Sequence, residues 1–190
     1  MDTDNIKSVY FLGAGGIGMS AIVRYFLSEN IKVAGYDKTA SPLTRALEKE
    51  GADIHYEDNV DLIPDYCRDP AHTLVVYTPA IPHDHKEWKW FGDNGFNIMK
   101  RAQILGVISR DYKALCVAGT HGKTTTSTMV AHILMQAGDG CNAFLGGISK
   151  NYNSNLLISK KSRYMVIEAD EFDHSFHSLT PFRTVITAMD

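Results

Sequence analysis

A glycine turn carrying a lysine and consecutive hydroxyls is equipment for holding phosphate, and the chain has one at residues 119–125, Gly-Thr-His-Gly-Lys-Thr-Thr. It lies between a short apolar run, residues 114–118, and a helix-length segment starting at Lys123. A glycine turn between a buried strand and a helix aims backbone N–H groups and the positive end of the helix at one spot. Lys123 adds a full charge there. In a phosphate-binding loop the hydroxyl after the lysine, here Thr124, ligates Mg²⁺. The spacing departs from G-x-x-x-x-G-K-[ST], because the first glycine of that pattern, counted back from Gly122, falls on Val117 and the glycine present is Gly119. The loop is a shortened variant with His121 just before its second glycine, and it predicts a site for a mononucleotide triphosphate. Further on, an apolar run ends in Glu168, followed by Asp170, Glu171 and Asp173, at the edge where α/β sheets bind ligands. A carboxylate there can hold Mg²⁺ beside phosphates, and Glu168, at the strand end, is the candidate. Asp170, Glu171 and Asp173 read equally well as a solvated loop.

A second glycine pattern lies near the start. Gly13, Gly15 and Gly18 match G-x-G-x-x-G, with Asp37 about twenty residues on, at the end of the next apolar run. Alone, this pattern points to a dinucleotide and an NAD(P)-dependent oxidoreductase. The same turn cradles any pyrophosphate, so the nucleotide stays open at this point. An oxidoreductase leaves the 119–125 loop without a role, whereas two phosphate loops predict two phosphorylated ligands. A binding module without turnover is the other reading.

These loops need strands and helices to aim them, and apolar runs alternate with amphipathic segments along the whole chain. Residues 9–12 read as a buried strand; Ile22, Val23, Phe26 and Leu27 give helical spacing over 21–30. Residues 31–37 read as a strand, and 41–51 as a helix with Ser41 at the N-cap, Pro42 in the first turn and Gly51 past the end. Strands at 52–56, 73–78 and 96–99 and a helix at 101–108 follow. Near residues 109–114 the pattern restarts, with a strand at 114–118, a helix at 123–138, a Gly/Asn/Ser-rich loop at 146–155 and strands at 164–170 and 184–190. The alternation predicts α/β architecture, with parallel sheets covered by helices. One domain is expected over 1–110 and a second over 111–190, where roughly 80 residues is short for a doubly wound sheet and implies a piece of a longer protein. Trp88 and Trp90 are expected to pack a helix on the sheet, Met129, Ile133 and Leu134 to form a core stripe, and His83, His85, His174 and His177 to be exposed loop residues.

Composition narrows the class. With 44% hydrophobic and 22% charged residues, a net charge of −3 and no basic block, the chain lacks the footprint of a nucleic-acid binder. Three cysteines without metal-ligand spacing suit reduced thiols. No apolar stretch approaches the roughly 18 residues of a membrane span, and the acidic start lacks the signature of a signal peptide, so a cytoplasmic location is expected.

The motifs FLGAGGIGMS, AGTHGKTTT and EADEFDHSF, in this order across the chain, resemble the Mur ligases, ATP-dependent amide-forming enzymes of bacterial peptidoglycan synthesis. His121 and the SFHSLTP segment are most similar to the members that join L-alanine to UDP-N-acetylmuramate, with the murein-peptide recycling members as the alternative. The resemblance implies a Rossmann-like domain for the UDP-sugar followed by a truncated P-loop-type domain, the N-terminal part of the central ATP-binding domain. Gly13, Gly15, Gly16, Ile17, Gly18, Met19 and Ser20 would hold the diphosphate, with Asp37, His55, Thr78, Ala80, Ile81 and Arg101 near the nucleotide or sugar. Gly119, Thr120, His121, Gly122, Lys123, Thr124 and Thr125 would surround the ATP phosphates, with Mg²⁺ on Thr124 and Glu168. Lys123 and Mg²⁺ would stabilise charge as the lactyl carboxylate takes the γ-phosphoryl group before L-alanine attacks. Ile54 stands where the family has glycine, residues 187–190 read Thr-Ala-Met-Asp where it leads to a metal-site histidine, and the amino-acid-binding portion is not in the chain. The implied behaviour is binding without turnover.

Overall fold

The computed structural model describes residues 5–169 and 175–189. The chain forms two compact units, Met1–Arg101 and Ala102–Asp190. The first is built from β1 (Ser8–Leu12), α1 (Ile17–Ser28), β2 (Lys32–Tyr36), α2 (Pro42–Glu50), β3 (Asp53–His55), β4 (Thr73–Tyr77), α3 (Lys86–Asp93) and β5 (Asn97–Lys100). Its sheet has the order β3-β2-β1-β4-β5, and every pairing is parallel. β1 is the central strand and is buried along its whole length, which is why it reads as an unbroken apolar run. The sheet winds one way from β1 to β2 and the other way from β1 to β4. The chain leaving β1 therefore stands at the point where such sheets open a crevice for ligands.

Local signals account for the helices. α2 begins at a reciprocal capping pair, with the Ser41 hydroxyl accepting from the Thr44 N–H at 3.1 Å and Thr44 Oγ1 accepting from the Ser41 N–H at 2.8 Å; Gly51 ends it in the left-handed region. α1 starts at Ile17, earlier than the apolar spacing suggests, because Gly18 and Ser20 interrupt the apolar residues of its first turn. Trp88 and Trp90 of α3 pack on the buried cluster that includes Tyr10, Phe91 and Phe96.

α4 (Arg101–Ser109) starts on the last residue of the first unit, and the second unit continues with β6 (Lys113–Ala118), α5 (Lys123–Gln136), β7 (Asn142–Ser149), β8 (Ser154–Leu157), β9 (Tyr164–Glu168) and β10 (Arg183–Ile186). The sheet order is β10-β6-β9-β7-β8, parallel except for β8, which runs antiparallel to β7. The expected loop at 146–155 is instead the end of β7, a tight turn and the start of β8, with Asn153 in the left-handed region and an irregularity between Phe144 and Ser149. Glycine and asparagine here shape a hairpin rather than a structureless stretch. The expected core stripe of α5 is also corrected. Leu134 packs on the cluster of Ala131, Cys141, Ala143, Leu145, Leu157 and Val166, but Met129 is 59% and Ile133 62% exposed. The small residues Ser127 and Ala131 are the fully buried positions of the helix, Val130, Leu134 and Met135 pack beside them, and Met129 and Ile133 face outward. All three cysteines are free and buried, and burial pushes their thiols up to about 11–12. Among the described residues no helix is long and apolar enough to cross a membrane.

Gly35 of β2 lies against β1, where an added Cβ would sit 2.6 Å from the Phe11 carbonyl oxygen. Gly35→Ala is expected to lower stability by about 1–3 kcal/mol in urea unfolding. Gly92→Ala, an exposed helical site with nothing near it among the described residues, should raise it by about 0.5–1 kcal/mol. Equal midpoints for Gly35→Ala and the unmodified chain would contradict the packing described.

Candidate functional site

In the first unit the chain turns off β1 at Gly13, φ +89°, and the N–H groups of Gly13 and Ala14 donate to the Tyr36 carbonyl at 2.8 and 3.1 Å. A Cβ on Gly13 would stand 2.5 Å from Thr78 Cγ2. The Gly15 N–H donates to Asp37 Oδ2 at 2.7 Å, while Asp37 Oδ1 accepts from the Thr39 N–H at 3.1 Å. Asp37 thus braces the glycine loop with one oxygen and the turn after β2 with the other. Gly16 is the N-cap of α1, and no side chain among the described residues caps that helix, so its first-turn amides are oriented for an anion.

Beside this loop lies a cavity of about 670 Å³. Of the residues singled out in the sequence, Gly13, Gly16, Asp37, Thr78, Ala80 and Ile81 line it. Gly15, Ile17, Gly18, Met19, Ser20, His55 and Arg101 do not. Met19 and Ser20 are on the core face of α1, where Ser20 Oγ donates to the Ile17 carbonyl at 2.9 Å; Gly18 is packed so closely on Arg101 that a Cβ would lie 2.5 Å from Nη1. His55 turns inward, with Nε2 2.7 Å from the Tyr10 hydroxyl and Nδ1 2.9 Å from the Glu57 carbonyl.

The sequence reading missed the polar cluster behind the cavity. Tyr10, central in β1, donates to Glu87 Oε2 at 2.7 Å, and Glu87 Oε1 accepts from the Asn59 N–H at 3.1 Å. Desolvation pushes Glu87 up to about 7, holds His55 below the ordinary imidazole value, and raises Tyr10 far above its own. Glu87 and Phe91, four residues apart and both fully buried, share one face of α3, a spacing that marks Glu87 as an inward acid. His85, expected in an exposed loop, is only 5% exposed. It is the N-cap of α3, its ring packed edge-on against Tyr36 and its Nδ1 3.1 Å from Asp58 Oδ1. Asp58 also accepts from the N–H groups of Lys86 and Glu87, at 2.9 and 3.2 Å, so one carboxylate holds the start of the helix and draws the imidazole in with it.

In the second unit, Gly119 (φ +124°) and Gly122 (φ +82°) shape the loop between β6 and α5. A Cβ on Gly119 would lie 2.5 Å from Thr187 Oγ1 and 2.7 Å from the Ala188 carbonyl. The segment after β10 straps the loop: the Thr187 N–H donates to the Ala118 carbonyl at 2.9 Å, its hydroxyl donates to the Ala118 and His121 carbonyls, and the Thr120 N–H donates to the Ala188 carbonyl at 3.1 Å. Gly122 is the N-cap of α5, again without a side-chain cap among the described residues. Lys123 folds back so that Nζ donates to the Gly119 carbonyl at 2.7 Å. Thr124 Oγ1 donates to Glu168 Oε1 at 3.0 Å, and Glu168 Oε2 accepts from the Gly146 N–H at 3.0 Å. Gly146, read as loop, is needed here, since a Cβ would collide with the Glu168 carboxylate. The Thr124 hydroxyl and the Glu168 carboxylate, in contact, are oxygen donors of the kind that would hold Mg²⁺. Thr120, His121 and Thr125 are exposed around the loop. Asp170, Glu171, Asp173 and His174 lie outside the described residues.

The profile of the Mur ligase family catalytic domain matches residues 8–113, more than half of the chain, and that of the Mur ligase middle domain matches residues 117–187. The chain belongs to the Mur ligase family. It is 66% identical over 190 residues to a UDP-N-acetylmuramate--L-alanine ligase of Phocaeicola vulgatus, and 57% identical over 185 residues to one of Porphyromonas gingivalis. It spans 42% and 41% of the lengths of these Mur ligases, and 100% and 97% of the chain is covered. Among solved structures it is similar to a UDP-N-acetylmuramate-alanine ligase from Thermotoga maritima, with TM-score 0.85 and 31% identity over 96% of this chain and 41% of that one. A UDP-N-acetylmuramate:L-alanyl-gamma-D-glutamyl-meso-diaminopimelate ligase from Neisseria meningitides shares the Mur ligase fold, with TM-score 0.87 and 23% identity over 97% of this chain and 61% of that one.

The buried acid predicts a pH signature. Glu87 has a folded value of about 7 against an unfolded 4.5, so the folded state holds a proton that the unfolded state gives up between those values. Its contribution to stability is full below pH 4.5 and lost as pH rises through about 7. Urea midpoints measured from pH 4.5 to 8 should show the unmodified chain losing stability relative to Glu87→Gln, by at most about 3 kcal/mol. Parallel profiles would contradict a buried, proton-retaining Glu87.

Proposed function

We propose that this chain is the substrate-binding, N-terminal part of a ligase that joins L-alanine to UDP-N-acetylmuramate for bacterial peptidoglycan synthesis in the cytoplasm. Residues 1–110 bind the UDP-sugar, and residues 111–190, a P-loop-type domain, bind ATP and Mg²⁺. The observation that carries the reading is the repeated device at the carboxyl ends of β1 and β6: positive-φ glycines followed by a helix whose N-terminus lacks a side-chain cap among the described residues. In the first unit the device borders a cavity of about 670 Å³, a volume suited to a nucleotide. In the second it stands beside Lys123 and the Thr124–Glu168 pair. Among the structural neighbours the alanine-adding ligase is 31% identical and the recycling ligases 23–24%, and an alanine-adding relative reaches 66% across the whole chain, which favours this substrate over that of the recycling ligases. Asp37 Oδ2 accepts from the Gly15 N–H and Oδ1 from the Thr39 N–H, so each oxygen already has a backbone partner, which weakens the case for Asp37 as the ribose anchor of an NAD(P)-dependent oxidoreductase.

Each residue has a defined part. The amides at the start of α1 take the diphosphate. Lys123, released from the Gly119 carbonyl, pairs with the terminal phosphates, and the uncapped amides of α5 receive the others. Thr124 and Glu168 hold Mg²⁺, and the Gly146 N–H fixes the carboxylate rotamer. When bound, Mg²⁺·ATP supplies the phosphoryl group that activates the lactyl carboxylate toward the amine of L-alanine. Catalysis here is positioning and charge stabilisation, with no covalent role for the protein.

Isothermal titration calorimetry of the chain with UDP-N-acetylmuramate should give saturable binding and NAD none; binding of NAD instead would overturn the ligase reading. Gly146→Ala, which displaces Glu168, should weaken Mg²⁺-dependent ATP binding by about 10–100-fold while sparing the sugar nucleotide. Unchanged ATP affinity would remove Glu168 from the metal site.

A further inference from the structure

The orientation of one peptide in the 119–125 loop is set from outside the loop. The bond between His121 and Gly122 is trans, so the His121 carbonyl and the Gly122 N–H point in opposite directions. Turning this peptide over changes ψ at 121 and φ at 122. Gly122 stands at φ +82°, and a glycine takes either sign of φ at little cost, so local sterics do not choose between the two orientations. The helix does not choose either, because the Gly122 carbonyl, which accepts from the Thr126 N–H at 2.9 Å, belongs to the next peptide.

Thr187 does choose. Its hydroxyl has one proton and two carbonyls in reach, that of Ala118 at 3.1 Å and that of His121, which is closer. The Ala118 carbonyl already accepts the Thr187 N–H at 2.9 Å, so the hydroxyl proton goes to His121. Thr187 is itself held in place, because it directly follows the Ile186–Ala118 pairing that ends the β10–β6 ladder. With the His121 carbonyl turned toward the strap, the Gly122 N–H is turned away from it. An earlier peptide is fixed in the same sense: the Thr120 N–H faces the Ala188 carbonyl at 3.1 Å, so the Gly119 carbonyl points away from the strap and meets Lys123 Nζ at 2.7 Å. The Gly122 N–H and the Lys123 ammonium therefore share the side of the loop opposite the strap.

We propose that Thr187 is a positioning residue of the ATP site: by holding the His121 carbonyl, it keeps the Gly122 N–H facing the phosphates beside Lys123. This rests on the reading of residues 119–125 as the ATP loop. The effect is one of sign. With the peptide turned over, a carbonyl oxygen stands where the N–H stood, and a donor to the anion becomes a repulsive dipole. An apolar side chain at 187 leaves both orientations open, and the affinity falls by the fraction of molecules in the wrong one.

The test is calorimetric titration of Mg²⁺·ATP into the unmodified chain, into Thr187→Val, which keeps the shape and loses the hydroxyl, and into Thr187→Ser, which keeps the hydroxyl and loses the methyl. UDP-N-acetylmuramate is the control ligand. Thr187→Val should bind Mg²⁺·ATP about tenfold more weakly and Thr187→Ser within about twofold of the unmodified chain, with the sugar nucleotide bound equally by all three. In NMR spectra of the unmodified chain, Mg²⁺·ATP should move the Gly122 N–H proton downfield, a readout that does not depend on a variant folding. Equal Mg²⁺·ATP affinity for Thr187→Val and the unmodified chain overturns the inference alone. So does a Thr187→Ser as weak as Thr187→Val, or a Gly122 N–H that saturating Mg²⁺·ATP leaves in place. Failure of the unmodified chain to bind Mg²⁺·ATP overturns both the inference and the site reading.

Discussion

At the carboxyl end of β1 the chain has to leave a fully buried strand and start a helix in a space bounded by Thr78 on one side and by Thr44 and Asp37 on the other. Side chains at positions 13 and 15 would overlap those neighbours, and Gly13 also adopts a φ that other residues rarely take. The constraint is backbone sterics, but its outcome is chemical. A chain that turns this tightly brings the amides of α1 to the crevice where the sheet changes winding direction. The second unit meets the same constraint at Gly119, where the Thr187 hydroxyl and the Ala188 backbone take the space a Cβ would need. Both loops are held from outside: by Asp37 in the first unit, by the strap after β10 in the second.

Behind the first loop the molecule accepts instability to keep polar groups in place. Glu87, Tyr10, His55, Asp58 and His85 lie among the aromatic rings of Tyr36 and Phe91, where charge is poorly solvated. A core of the same volume made only of apolar residues would fold more stably near neutral pH. What the polar cluster provides is position, since Asp58 anchors the start of α3 and Glu87 ties that helix to β1 and to Asn59. The segment carrying Thr78, Ala80 and Ile81 is thus bounded by β4 at one end and an anchored helix at the other.

How much was legible in the sequence depended on whether the signal was local. β1 and α2 could be read directly, one as an unbroken apolar run and the other from Ser41, Pro42 and Gly51. Glycines mark turns, yet their spacing does not say whether a turn belongs to a loop or a hairpin, and so residues 146–155 read as a loop where β7 ends and β8 begins. Apolar periodicity misled in α5, where the small residues Ser127 and Ala131 face the sheet and Met129 and Ile133 do not. The roles of His85 and Gly146 depend on contacts 27 and 22 residues away, with Asp58 and Glu168 respectively, and no local pattern carries them.

The central claim is that two glycine loops of similar construction hold two different phosphorylated ligands. Amide NMR spectra of the ¹⁵N-labelled chain, recorded with UDP-N-acetylmuramate and with Mg²⁺·ATP in turn, test it most directly. The account predicts that the sugar nucleotide shifts the amides of residues 13–18 and leaves 119–125 in place, and that Mg²⁺·ATP does the reverse. Both ligands moving the same loop, or neither loop responding, would contradict it.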